Sequence, residues 1–128
     1  MSKDNKFDLE DRLIAFAARC IKVSDTLPST MAGQHLAGQL CRSGTSPALN
    51  YGEAQGAESR KDFVHKMSVS LKELRETLIY LKIVAKAEML ALEKLQPLDD
   101  EADELVSIFV TSVKTAKQNI KKEKDESR

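Results

Sequence analysis

An all-α protein, folded as an antiparallel up-down-up-down four-helix bundle, is what this sequence predicts, on three observations. Apolar residues recur in alternating steps of three and four along four separate segments, the spacing that lines one face of a helix. Hydrophobic residues make up 41% of the chain and charged residues 31%, with five Gly, three Pro and no Trp, a mix that suits amphipathic helices better than strands and close turns. A chain of 128 residues also holds one core rather than two, so a single domain over 1–128 has all four helices sharing it.

The first helix, about 9–27, follows from Leu9, Leu13, Phe16, Cys20, Val23 and Leu27. Pro28, with Ser29 and Thr30, ends it, because proline has no amide hydrogen to donate and restricts the residue before it. Residues 1–7 are expected to fray.

The second helix, about 31–57, is built from small residues, among them Ala32, Gly33, Ala37, Gly38, Gly44, Ala48, Gly52 and Gly56. Helix propensity alone would hardly hold it. Leu36, Leu40 and Tyr51 keep helical spacing, so the segment is expected to pack unusually close to a neighbour and draw its stability from that contact. Pro47 should kink it at the carbonyl of Ser43.

Ser59 followed by Asp62 reads as an N-cap with an acidic first turn, which starts a third helix at about 60–90. Its core stripe is Phe63, Met67, Leu71, Leu74, Leu78, Leu81 and Ala85. Gln96, Pro97 and Leu98 are expected to break the chain, and Asp99 to cap a fourth helix over about 99–122. Asp100, Glu101 and Asp103 near its start and Lys117, Lys121 and Lys122 near its end suit the macrodipole. Ala102, Leu105, Phe109, Val113, Ala116 and Ile120 form its core stripe, and residues 123–128 should fray.

Twenty basic residues balance twenty acidic ones, so no long-range field draws in nucleic acid or an anionic membrane, and any such binding needs a local patch. Residues 1–57 are neutral, residues 58–95 carry a net +2 and residues 96–128 a net −2. Cys20 and Cys41 have no second ligand pair nearby and read as core or interface thiols in a reducing compartment. Met1–Asp8 is polar, and no run of about 18 apolar residues occurs. The expected location is the cytoplasm, with no membrane partner.

Catalytic chemistry finds no purchase. His35 and His65 belong to neither a His-x-x-x-His nor a Glu-x-x-His pair, so no metal site is expected. Glu73 and Glu76 are three apart on the third helix, and Glu53 on the second could approach them. Without histidines the three are expected to be solvated, or paired with Lys72 and Arg75. The five glycines lack the strand, loop and lysine of a phosphate site and read as packing glycines. Ser43, Ser46 and Ser59 have no base at a recognisable spacing. A non-enzymatic protein with no cofactor and no small-molecule substrate is the expectation.

Two surface features point to partners. Lys61, His65, Ser68, Lys72, Arg75, Ile79, Lys82 and Lys86 step down one side of the third helix, displaced from its core stripe. This ridge is either a solvated face or a contact for nucleic-acid phosphates through Lys61, Lys72, Arg75, Lys82 and Lys86. Val69, Tyr80, Ile83 and Val84 also lie off the core stripe, which makes Val69, Tyr80 and Ile83 candidates for a self-association surface.

From Gln39 to Lys82 the chain reads QLCRSGTSPALNYGEAQGAESRKDFVHKMSVSLKELRETLIYLK. The pattern Gln39-Leu40 with Arg42, then Ser46, Asn50 and Glu53, then Ser59, Asp62 and Phe63, then Ser70, Glu73 and Glu76 resembles the bacterial four-helix-bundle family encoded in intervening sequences of 23S ribosomal RNA genes. That family includes the accessory variability determinant of diversity-generating retroelements. The resemblance implies a homo-oligomeric barrel of four-helix protomers, a pentamer, and for the retroelement relatives binding to nucleic acid and to a reverse transcriptase. Those relatives are basic, whereas this chain is neutral with an acidic start to its fourth helix. Of the motif residues Arg42, Asn50, Glu53, Asp62, Glu73 and Glu76, Asn50 and Glu53 are expected near the turn between helices two and three. There they would either satisfy buried backbone groups and salt-bridge Arg42, or contact a ligand or partner. The function expected is an oligomeric scaffold binding RNA or a nucleic-acid-processing protein; the alternative is a purely protein-interacting module.

Overall fold

A computed structural model of the chain describes residues 5–127. Four helices account for it: α1 (Asn5–Thr26), α2 (Met31–Gln55), α3 (Arg60–Lys86) and α4 (Leu92–Glu126), with no strand among the described residues. Each helix runs antiparallel to the one before it. The arrangement is open, since α1 packs on α2, α2 on α3 and α3 on α4, while α1 and α4 meet only sparsely. The core gathers Leu13, Phe16, Cys20, Leu40, Leu74, Leu81, Leu105 and Phe109, all buried. Tyr51 closes it with its ring edge-on to Phe109, centroids 6.0 Å apart. Burial pushes the Cys20 thiol up to about 12, so it stays protonated.

The turn between α1 and α2 does more than stop a helix. The Thr30 hydroxyl accepts the Gly33 amide at 3.0 Å and caps α2. Gly33 then lies so close to the preceding turn that a Cβ there would stand 2.0 Å from the Pro28 carbonyl oxygen. Further along, a Cβ on Gly44 would come within 2.5 Å of the Cys20 side chain, which is the close approach anticipated for the small-residue helix. Gly38 and Gly52 differ. Among the described residues, a Cβ at either would meet nothing within 4 Å, so they are not packing glycines within the protomer.

The helix α2 continues through Pro47, and α4 starts at Leu92 rather than Asp99, with Pro97 inside it. The expected break at 96–98 therefore does not occur. Leu95 and Leu98 are both buried, and winding the chain around Pro97 puts the two leucines on the core side. Each is worth about 1.5–3 kcal/mol when fully buried, which offsets the roughly 3 kcal/mol of an interior proline. At the other ends α1 begins at Asn5 instead of Leu9, and α4 reaches Glu126 instead of fraying from 123; residues 1–4 and 128 lie outside the described set.

Helix α3 stops at Lys86, short of 90. The Met89 amide donates to the Val84 carbonyl at 3.1 Å and the Glu88 amide to the Ala85 carbonyl at 3.0 Å, the Schellman pattern that turns a helix end back on itself. The pattern needs a left-handed residue, and Glu88 supplies it at φ 59°. A non-glycine residue there is strained by about 1–2 kcal/mol. Glu88→Gly is therefore expected to stabilise the fold by about 1 kcal/mol, read as a higher denaturation midpoint; an unchanged or lower midpoint contradicts the cap.

Val84 corrects the expected surface row. It is fully buried, because α3 sits between two neighbours and buries two seams. One is the expected stripe through Met67, Leu74 and Leu81, and the other faces α2 through Ser70, Glu73, Thr77 and Val84.

Candidate functional site

The α2–α3 seam holds Gln39, Arg42, Ser70, Glu73 and Glu76 of the polar residues that the motif picks out. Seen from the middle of the bundle outward, Ser70 donates to the Pro47 carbonyl at 3.1 Å, and the buried Thr77 hydroxyl lies 2.8 Å from both the Ser43 hydroxyl and the Glu73 carbonyl. No buried side-chain nitrogen or oxygen is left without a partner among the described residues, as a seam of this kind requires.

Arg42 sits at the rim of the seam. Its Nη1 meets Glu73 Oε2 at 2.5 Å, its Nη2 meets Glu76 Oε1 at 2.9 Å, and its Nε donates to Gln39 Oε1 at 3.4 Å. The Tyr80 hydroxyl donates to the same Gln39 oxygen at 3.4 Å. The bonds to Glu76 and Glu73 raise the already high pKa of Arg42 against a smaller opposing effect of burial. The Glu73 side chain is only 8% exposed, whereas that of Arg42 is 49% exposed, so the carboxylate is held inside by a cation that reaches in from the surface. With Lys72 Nζ 3.9 Å from Glu76, the charges of the cluster cancel. It is a clamp between α2 and α3.

The remaining motif residues are dispersed. Asn50 does not reach Arg42; its amide donates to the Ser46 carbonyl at 3.1 Å and to Ser46 Oγ at 2.9 Å, one turn back on the same helix. Glu53 pairs with Lys66 at 2.6 Å and joins neither Glu73 nor Glu76. The partner of those two is Arg42 rather than Lys72 and Arg75 alone, since the pairing runs across the seam instead of along α3. Ser59 Oγ accepts the Asp62 amide at 3.0 Å, as the cap required, while the Asp62 carboxylate accepts the Glu58 amide at 3.4 Å.

On the outer side of α3, Lys61, His65, Lys72, Arg75, Lys82 and Lys86 are all exposed. Lys82 Nζ lies 3.6 Å from Asp99 on α4. Lys61, Arg75 and Lys86 have no ion pair among the described residues. Ile79 and Ile83 stand within this ridge at 56% and 42% exposure. Of the three residues expected at a self-association surface, Ile83 is exposed, and Val69 and Tyr80 are half-buried.

Sequence reasoning missed the ion pairs that join α4 to its neighbours and Glu53 to Lys66, and the one with the longest sequence separation lies between α1 and α4. Arg12 on α1 grips Glu101 on α4 through Nε (3.1 Å) and Nη2 (2.7 Å), with Glu104 at 3.1 Å. The pair is 89 positions apart in sequence, and no local spacing announces it. Beside it the sparse α1–α4 contact leaves a cleft of about 630 Å³ lined by Asp8, Leu9, Arg12, Tyr51, Phe63 and Met67. Arg60 and Glu123 tie the far end of α4 to the start of α3. Among the described residues no cluster of His, Cys, Asp and Glu is placed to hold a metal ion, and no helix is long and apolar enough to cross a membrane.

Comparison with known proteins gives a family and no activity. The crystal structure of a protein of unknown function from the S23 ribosomal protein family of Bacteroides thetaiotaomicron matches with a TM-score of 0.80 and 27% identity, over 87% of this chain and 99% of that one. No curated protein matches. The family described as 23S rRNA-intervening sequence protein matches residues 5–111. With the helix order, the α2–α3 seam and that match in agreement, the chain belongs to the 23S rRNA intervening-sequence protein family.

Proposed function

We propose that the protein is a non-enzymatic, homo-oligomeric scaffold of the cytoplasm that binds RNA along the outer face of α3. The observation that carries this reading is the state of the ridge cations. Arg12, Arg42, Arg60 and Lys66 each have a close carboxylate partner on another helix, whereas Lys61, Arg75 and Lys86 face water without one, and Lys72 and Lys82 are held only at 3.9 and 3.6 Å. From Lys61 to Lys86 the row spans roughly 37 Å at 1.5 Å per residue, long enough to follow several phosphates. A neutral protomer presents a positive surface best when assembly gathers such ridges on one side.

A second reading, a protein partner alone, is favoured by Ile79 and Ile83, whose exposure puts apolar surface among the cations. One titration separates the two. If four ridge residues touch phosphates, RNA affinity falls steeply with salt, each contact adding roughly 0.7–0.9 to the log–log slope. K72Q/R75Q/K82Q/K86Q should then flatten the slope by about 3 and weaken binding, with circular dichroism unchanged because all four side chains are exposed. Wild-type protein that shifts neither structured nor single-stranded RNA at about 150 mM salt removes the RNA reading.

A further inference from the structure

The cleft between α1 and α4 exists because one of its walls is short. Arg12 stands opposite Glu101, so Asn5, seven residues earlier on α1, comes opposite about residue 108 of the antiparallel α4. From there α4 runs on to Glu126 with no α1 beside it. The hollow at Asp8 and Arg12 therefore continues into a second one of about 730 Å³, with which it shares Gln55, Phe63 and Ser112. That volume lies within the roughly 300–1,000 Å³ of small-ligand sites, which helix bundles place between their helices.

The second hollow has an apolar floor, with Ala54 buried and Phe63 and Ala116 half-buried. Its walls are amides and hydroxyls: Gln55 from α2, and Thr111, Ser112, Thr115 and Asn119 from α4. None of these five side chains has a hydrogen-bond partner among the described residues. Ser24, Thr45 and Thr77 turn their hydroxyls back on the carbonyl one turn earlier, a common recourse inside a helix, and Thr111, Ser112 and Thr115 do not. Among the described residues the one ionic group on these walls is Arg60, already paired with Glu123. A group that enters here is uncharged, because a charge would lose its hydration without meeting a counter-charge. A ring that lies on Phe63 and is polar along its edge fits, and side-chain amides are the groups that read the edge of a nucleobase. Just outside, Lys61 and Lys124 flank the Arg60–Glu123 pair around a neighbouring hollow, and neither has a carboxylate partner among the described residues. Asn119 and Lys124 are five residues apart, roughly 7.5 Å of helix rise, a step that one ribose bridges.

We propose that this end of the bundle holds one nucleotide, its uncharged base on Phe63 between Gln55 and Asn119 and its phosphate on Lys61 and Lys124. The site meets the α3 ridge only at Lys61 and does not depend on that ridge binding RNA. The nucleotide is either free or an unpaired residue of a strand that reaches the cleft from the ridge.

The test titrates the full chain by calorimetry with adenosine 5′-monophosphate, uridine 5′-monophosphate, ribose 5-phosphate, and short single strands of A or U. A free nucleotide as the ligand gives a dissociation constant of about 1 mM or below for at least one of the two mononucleotides. Ribose 5-phosphate, which lacks the base to stack, should then bind at least about tenfold more weakly. Q55L/N119L should weaken the nucleotide about tenfold with unchanged circular dichroism, and so should S112A/T115V, which nearly keeps side-chain shape. K61Q/K124Q should weaken the nucleotide and leave the matching nucleoside unaffected, and K72Q/R75Q should change neither. If the strands alone bind, and Q55L/N119L and S112A/T115V weaken them, the base belongs to a strand and the site stands. Ribose 5-phosphate that binds as tightly as the nucleotides overturns the site, as does the absence of any nucleotide or strand binding that those two variants weaken. Strands that lose affinity only with K72Q/R75Q overturn the site and leave the RNA reading of the ridge standing; mononucleotides that bind while strands do not have the opposite outcome.

Discussion

Gly44→Leu should lower the free energy of unfolding by about 1–3 kcal/mol, the usual range for overpacking a tight contact, or by more if α1 cannot shift. A side chain at position 44 has no direction in which to relax. Its first carbon would already lie 2.5 Å from both the Cβ and the Sγ of Cys20, and Cys20 is fully buried in the core. Opening the helices to make room would also loosen Leu13, Phe16 and Leu40. Gly44→Ala should therefore destabilise too, although alanine favours a helix over glycine by about 1 kcal/mol. Equilibrium urea unfolding measures both variants; an alanine variant as stable as wild type would show that α1 and α2 are not held this close. At Gly38 the same alanine change should show no such loss in the separated protomer, since nothing there crowds it.

Removing Arg42 gives the other large effect. Arg42→Ala leaves the Glu73 carboxylate, 8% exposed, without its cation on the face that α2 covers. Losing one partner of a buried pair costs about 3–5 kcal/mol, but half of this guanidinium is in water, so the expected loss is about 1–3 kcal/mol. A neutral replacement at the carboxylate separates this effect from simple truncation. In the Arg42→Ala background, Glu73→Gln should recover part of the loss, because an amide can be buried more readily than an unpaired charge. If Arg42→Ala unfolds at the wild-type midpoint, or Glu73→Gln deepens its loss, the clamp between α2 and α3 is not what holds that seam.

The periodicity of apolar residues determined most of what can be said about the helices. Phe16, Cys20, Leu74, Leu81, Leu105 and Phe109 were legible as core because a helix repeats every 3.6 residues whatever it packs against. The Ser59–Asp62 start of α3 was legible for a similar reason, since capping uses only residues three apart. The end of α3 was not, because its left-handed residue is Glu88 where glycine or asparagine would have signalled the turn.

Around Pro97 local rules pointed the wrong way. Proline opposes a helix interior, yet Leu95 and Leu98 gain enough from the core that α4 keeps winding, and that gain exists only once the other helices are in place. Glu73 and Val84 were misplaced on α3 for the same reason, since one stripe suffices for a helix with one neighbour and α3 has two. The motif residues from Gln39 to Glu76 identified the family from sequence alone, but their partners did not follow from spacing. Arg42 chose Glu73 and Glu76, Glu53 chose Lys66, and Arg12 found Glu101 across the bundle. Sequence by itself determined the main apolar stripe of each helix and the starts of α2 and α3, because those depend on neighbours within a few residues. Tertiary structure decided which charges meet, which glycines are crowded and which stand open, because those depend on how closely two helices approach.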